Sequence, residues 1–198
     1  KEECGIFWIW NHPEAANLTY LGLYALQHRG QESAGIAATD GQHFHVEKAM
    51  GWVADVFHRE RLKRLPGTRA IGHVRYSTAG TSTLKNAQPI TANTARGPVA
   101  LAHNGNLVNA EALKAELEKD GAVFQSSSDT EVILHLLARA AGSTLEEQLP
   151  QALGRVTGAY SLLILTPDAL VAIRDPYGFR PLSLGKLGDA WISASETC

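Results

Sequence analysis

Cysteine is scarce in this sequence: two in 198 residues, Cys4 and Cys198, too few for a disulfide framework in a chain of this size. No stretch approaches the roughly 20 consecutive apolar residues of a membrane-spanning helix, and the N-terminus lacks the basic and apolar regions of a signal peptide. A basic block is missing too. Eighteen Lys and Arg face 20 Asp and Glu, a formal net charge of −2, which argues against nucleic acid or a membrane as partner. Low-complexity segments and internal repeats are absent. What remains is the profile of a cytoplasmic protein with a small substrate, 44 % hydrophobic and long enough for one domain with a sizeable core. The chain starts at Lys1 and stops at SASETC just after a strand pattern, so both ends read as cut.

CGIFWIW is short, β-branched and aromatic, the composition of a buried strand. Leu18, Leu21 and Ala25 predict an amphipathic helix from Leu18 to about His28, with Asn17 as its cap. SAGIAAT and HFHVEKA flank Asp40-Gly41, a hairpin signal. Thr68 to Val74 and Pro98 to His103 read as further strands, and the Thr-, Ala- and Asn-rich stretch between Thr78 and Arg96 as a mobile loop. Asn109 can cap a helix carrying Ala110, Leu113 and Leu117 that ends at Gly121. Ser128-Asp129-Thr130-Glu131 has the spacing of a capping box, followed by Val132, Ile133, Leu136, Leu137 and Ala140 on one face. A helix near Leu145 to Leu153 and the strands YSLLIL, ALVAIR, PLSLGK and AWISAS complete the chain. Tight turns between strands predict largely antiparallel sheets with helices outside, an α+β fold.

A lone Cys in an apolar strand is more often a core residue than a nucleophile. Removal of Lys1-Glu2-Glu3 would change that, because the α-amino group of Cys4, with an ordinary pKa of about 7.7–8.0, would then stand beside the thiol as a base. His103-Asn104-Gly105-Asn106 reads as a turn, or as an oxyanion hole built from the Asn104 amide and the Gly105 N–H, and the two are compatible. Arg75, at the end of a strand, suits either a salt bridge or a two-pronged grip on a carboxylate. Arg29, at a helix end, is equally open. Asp129 suits the first turn of its helix for electrostatic reasons alone, but an acid there can also receive an amino group. Eight histidines show no metal-ligand spacing, and His28, His73 and His103 are assigned to hydrogen bonding.

CGIF, QHRGQESAGIA, GHVRYSTAG, QPI, AHNGNL, SSDTEVI and RDPYGFRPL occur in this order. Over essentially the whole chain the sequence resembles the class-II glutamine amidotransferase domain of the amidophosphoribosyltransferase family. HNG and SDTE are shared with glucosamine-6-phosphate synthase and asparagine synthetase types, whereas the longer motifs are more selective. The resemblance implies a four-layer αββα sandwich of the N-terminal nucleophile hydrolase type, with residues 1–3 a propeptide remnant and 4–198 the glutaminase domain. By the same resemblance Cys4 matches the nucleophile, and Asn104 and Gly105 the oxyanion hole. Arg75, Tyr76 and Thr78 match the glutamine-binding segment, Asp129 the acceptor of the α-amine, and Arg29 a residue ordering the site. The implied reaction is hydrolysis of L-glutamine, with ammonia passed to phosphoribosyl pyrophosphate in a second domain absent from this chain, the first step of de novo purine synthesis. No cofactor is expected in this chain. Magnesium, any iron–sulfur cluster and homo-oligomer formation would involve the absent part.

Two features depart from the family pattern. Trp8 stands where the family's CGIFG has its second glycine, and so large a ring must displace neighbours. With Lys1 to Glu3 attached, Cys4 carries an amide in place of the free amine. The competing expectations are therefore a catalytically silent, unprocessed or truncated form of the same domain, or the glutaminase domain of another class-II amidotransferase of the glucosamine-6-phosphate synthase or asparagine synthetase type.

Overall fold

The computed structural model describes residues 4–76 and 82–197. Strand β1 (Gly5–Trp10) is followed by helix α1 (Ala15–Ala25), the hairpin β2 (Ser33–Thr39) and β3 (Phe44–Met50), and the one-turn helices α2 (Val53–Val56) and α3 (Arg59–Leu62). Then come β4 (Arg69–Arg75), β5 (Ile90–Thr94), β6 (Gly97–Leu107), α4 (Ala110–Lys119), α5 (Asp129–Arg139), α6 (Leu145–Leu153), β7 (Gly158–Leu165), β8 (Leu170–Arg174), β9 (Ser183–Leu187) and β10 (Ala190–Ala194). Six strands form one sheet in the order β3-β2-β4-β1-β10-β9, and four form a second in the order β5-β6-β7-β8. The strand pairings described are antiparallel.

Alternation along each strand sends side chains to opposite faces. Ile6 and Trp8 point between the sheets with Ala37, Ile71, Ala100, Ala102, Leu163 and Leu165. Ile9, Ala34, Ile36, Ala70 and Val74 point the other way, against Leu23 of α1. The second sheet buries Leu101, Leu162 and Ile164 under Leu113 and Leu117 of α4 and Ile133, Leu136 and Leu137 of α5. Helix, sheet, sheet and helix form the expected αββα sandwich. Trp8 is accommodated because its inter-sheet neighbours Ala37, Ala100 and Ala102 are small, which balances volume across the two sheets.

Four local expectations are corrected. The first helix spans Ala15–Ala25, so Asn17 lies inside it, and Ala15, Ala16, Thr19 and Leu23 are its buried residues. Leu21 is exposed instead, because the helix lies so close to the sheet that a Cβ on Gly22 would fall 2.3 Å from the Phe7 ring. Asn109 precedes α4 without capping it; its amide joins Arg155 O and Thr157 N at 2.8 and 2.9 Å. Ser128 does cap α5 through Thr130 N, but Glu131 accepts from Gln125 N and Ser126 N, both at 2.8 Å, rather than completing a reciprocal box. Finally, the stretch expected to be a mobile loop contains β5, paired with β6 from Ile90 to Thr94; its alternation is hidden because only Ile90 is buried.

Candidate active site

Cys4 enters β1 with φ of 78°, the left-handed region that a residue with a Cβ adopts only when held there. Arg29 holds it from both sides. Cys4 N donates to Arg29 O at 3.1 Å, and Arg29 Nε donates to Cys4 O at 2.8 Å. The thiol is buried, 8 % exposed, with Sγ 3.4 Å from Tyr76 N and 3.5 Å from Tyr76 O. Burial pushes its pKa up to about 11, against the Tyr76 N–H and the positive fields of Arg75 and Arg180, while Asp129 adds to the rise.

Arg75 is the last residue of β4, buried and ion-paired with Glu32; Glu32 N also donates to Arg75 O at 3.0 Å. Tyr76 follows and is 43 % exposed. Thr78 lies outside the described residues, as do Lys1 to Glu3 and Cys198.

The HNGN segment is not a turn. β6 runs through it, with Asn104 opposite Ser161 and Gly105 opposite Tyr160. The glycine is needed for close approach: a Cβ at Gly105 would lie 2.2 Å from Ala159 O and 2.8 Å from His103 Nε2. Asn104 is fully buried. Its Nδ2 faces Ser195 Oγ at 3.5 Å, and its Oδ1 has no partner among the described residues.

Asp129 opens α5 and reaches back to the same strand. Oδ2 accepts from Leu107 N at 3.1 Å, and Oδ1 lies 3.5 Å from His103 Nδ1. Burial works against its charge, yet His103 and the backbone N–H groups of Leu107 and Thr130 hold its carboxyl below the usual range. His103 N donates to Gln88 Oε1 at 2.7 Å. His73 donates from Nε2 to His103 O at 3.0 Å, and burial drives its pKa down to about 3, so it is neutral and Nε2 carries the proton. The hydrogen-bonding assignment of these histidines holds, and His28 contacts Ala25 O and Glu196. Among the described residues no group of three or more His, Cys, Asp or Glu is placed to hold a metal ion.

Cys4, Arg29, Arg75, Asn104, Gly105 and Asp129 thus gather at one end of the inter-sheet layer. Sequence reasoning did not single out Glu32, Arg180, Ser195 or Glu196, all of which meet this group. It also missed Asp175, whose buried carboxylate accepts from Tyr177 N and Phe179 N at 3.0 Å and folds the RDPYGFRPL loop. Side-chain bonds between distant segments leave no periodicity to read.

The geometry has counterparts. Residues 73–198 match the model of the glutamine amidotransferase domain family. The chain belongs to that family, and its sandwich is of the N-terminal nucleophile hydrolase type. It is 51 % identical over 199 residues to amidophosphoribosyltransferase of Bacillus subtilis, with all of this chain aligned to 42 % of that protein. The chloroplastic amidophosphoribosyltransferase of Glycine max is 52 % identical over 200 residues, with all of this chain aligned to 35 % of that protein. A solved structure of the B. subtilis glutamine phosphoribosylpyrophosphate amidotransferase superposes with a TM-score of 0.93 at 49 % identity, covering 98 % of this chain and 42 % of that one. The chain therefore spans about two fifths of the length of such relatives, their glutamine amidotransferase part. No helix among the described residues is long and apolar enough to cross a membrane.

Proposed function

We propose that this chain is the glutaminase part of an amidophosphoribosyltransferase, hydrolysing L-glutamine and supplying ammonia for phosphoribosylamine synthesis at a phosphoribosyl pyrophosphate site in another part of the protein. The observation that carries this reading is the buried Cys4 thiol, gripped by Arg29 and set against Tyr76 N at 3.4 Å, with Arg75 and Asp129 both close enough to shift its titration.

A thiol near pKa 11 is protonated at neutral pH, so attack needs a base. Once residues 1–3 are removed, the α-amine of Cys4 occupies the place of the present amide nitrogen, beside Arg29 O. It takes the thiol proton as sulfur bonds to the side-chain amide carbon of glutamine. The carbonyl electrons move onto oxygen, where the Asn104 amide and the Gly105 N–H stabilise the charge. Collapse expels ammonia, carrying that proton, and leaves a γ-glutamyl thioester that water hydrolyses to glutamate. Arg75 is assigned the α-carboxylate and Asp129 the α-ammonium, with Tyr76 and Thr78 in the same binding segment. A free α-carboxylate exchanges with Glu32 for the guanidinium of Arg75.

Intact mass before and after 6-diazo-5-oxo-norleucine tests the reading. A chain beginning at Cys4 that gains one adduct, lost in Cys4→Ala, is the expected result. A chain beginning at Cys4 that gains none and releases no glutamate would overturn it. A chain that keeps Lys1 and gains none is the silent precursor form.

A further inference from the structure

We infer that Ser195 and Glu196 are positioning residues of the Cys4 site, a two-residue latch that holds both the nucleophile and the oxyanion donor from the segment after β10. The inference rests on the glutaminase reading above.

Regular pairing of β1 with β10 is registered as far as Phe7 opposite Ala194. Beyond it, Ser195 clasps Ile6 from both sides. Ser195 N donates to Ile6 O at 3.0 Å, and Ser195 Oγ accepts from Ile6 N at 2.9 Å. Ile6 is two residues from the nucleophile, so fixing the Ile6 backbone fixes the strand end that carries Cys4. The same Oγ faces Asn104 Nδ2 at 3.5 Å. A primary amide has two N–H donors; directing one at Ser195 fixes the amide plane and leaves the other for the oxygen that becomes negative. Ser195 is itself fully buried, so this hydroxyl has no solvent to turn toward.

Glu196 does the corresponding work for Cys4. Its Oε1 accepts from Arg29 Nη1 at 2.5 Å, and its carboxylate lies 3.1 Å from His28 Nε2. The hydrogen bond from Arg29 is the main reason its carboxyl is held below the usual range, so the partner is anionic at neutral pH. Arg29 is thereby pinned at one corner by Glu196 while Nε grips Cys4 O at 2.8 Å. A planar guanidinium tied at two corners keeps its plane, and Cys4 keeps its left-handed backbone. The latch acts through Arg29, Ile6 and Asn104.

The test uses the chain freed at Cys4, measuring glutamate release. Ser195→Ala should lower kcat about 10-fold to 100-fold with KM within about twofold, the signature of a misplaced transition-state donor. Glu196→Ala should lower kcat about tenfold, and Glu196→Gln, which keeps an acceptor for Arg29, should recover most of that loss. Assays well below each variant's melting temperature separate positioning from folding. Unchanged kcat, a rise in KM alone, or losses that vanish on cooling would overturn the inference. An inactive wild-type chain beginning at Cys4 would instead overturn the glutaminase reading.

Discussion

At one end of the inter-sheet layer Trp8 and Ile71 meet Ala100, Ala102, Leu163 and Leu165, large apolar side chains against small ones. At the other end the same strands present Cys4, His73, Arg75, Asn104, Ser161 and Ser195, all buried. β1, β4 and β6 each pass through both ends, so one set of strands serves two chemistries. In the apolar half position is set by volume, which tolerates small shifts. In the polar half it is set by hydrogen bonds with defined directions, several donated by residues far away in sequence. Where packing defines the structure, substitutions should cost stability; where directed bonds define it, they should cost rate.

The largest expected effect is at the polar end. Cys4→Ala in the freed chain should reduce glutamate release at least about 10⁴-fold, with a melting temperature close to that of the parent. Asn104→Ala should lower kcat about 10²–10³-fold, read from initial rates at saturating glutamine. At the apolar end Trp8→Ala should cost about 3–5 kcal/mol in denaturant unfolding, through the cavity it leaves, with kcat retained wherever the protein is folded. Equal losses of rate and stability from Trp8→Ala would erase the distinction between the two ends. A more modest effect is expected from Arg75→Lys, which keeps the charge and loses the forked donor; KM for glutamine should rise about tenfold.

A pH dependence sharpens the comparison further. His73 has its pKa lowered from 6.5 to about 3 in the folded chain. The unfolded chain therefore binds the extra proton first as pH falls. The contribution is full above about pH 6.5 and is lost toward pH 3, at about 1.4 kcal/mol per pH unit. Unfolding free energies between pH 6.5 and 4, compared with His73→Asn, should show this slope in the parent and a shallower one in the variant.

In the first sheet β1 was legible from its short β-branched and aromatic run, and β2 and β3 from the hairpin signal at Asp40-Gly41 between them. So were α5 and α6, whose leucine spacing is helical over most of their length. Helix α1 was legible as a helix but not in its facing, since close approach at Gly22 turns Ala15, Thr19 and Leu23 to the sheet and leaves Leu21 outside. β5 was hidden by Thr, Ala and Asn, and the strand character of HNGN by a dipeptide that favours turns when no partner strand is at hand. Of the site, Cys4, Arg29, Arg75, Asn104, Gly105 and Asp129 were named from motifs, and the structure brings them together. Glu32, Ser195 and Glu196 were not, because ion pairs and clasps across 43 to 189 positions are made by topology alone.

That topology also sets a clock. β1 precedes in sequence both strands it lies between, β4 and β10, and Ile6 waits for Ser195, 189 residues later, to complete its bonding. Contacts so distant along the chain are costly to close and form late. A nascent chain therefore carries Cys4 without the clasp that fixes its place until Ser195 has been made, and the geometry around the thiol becomes a property of the finished sandwich rather than of any fragment emerging before it.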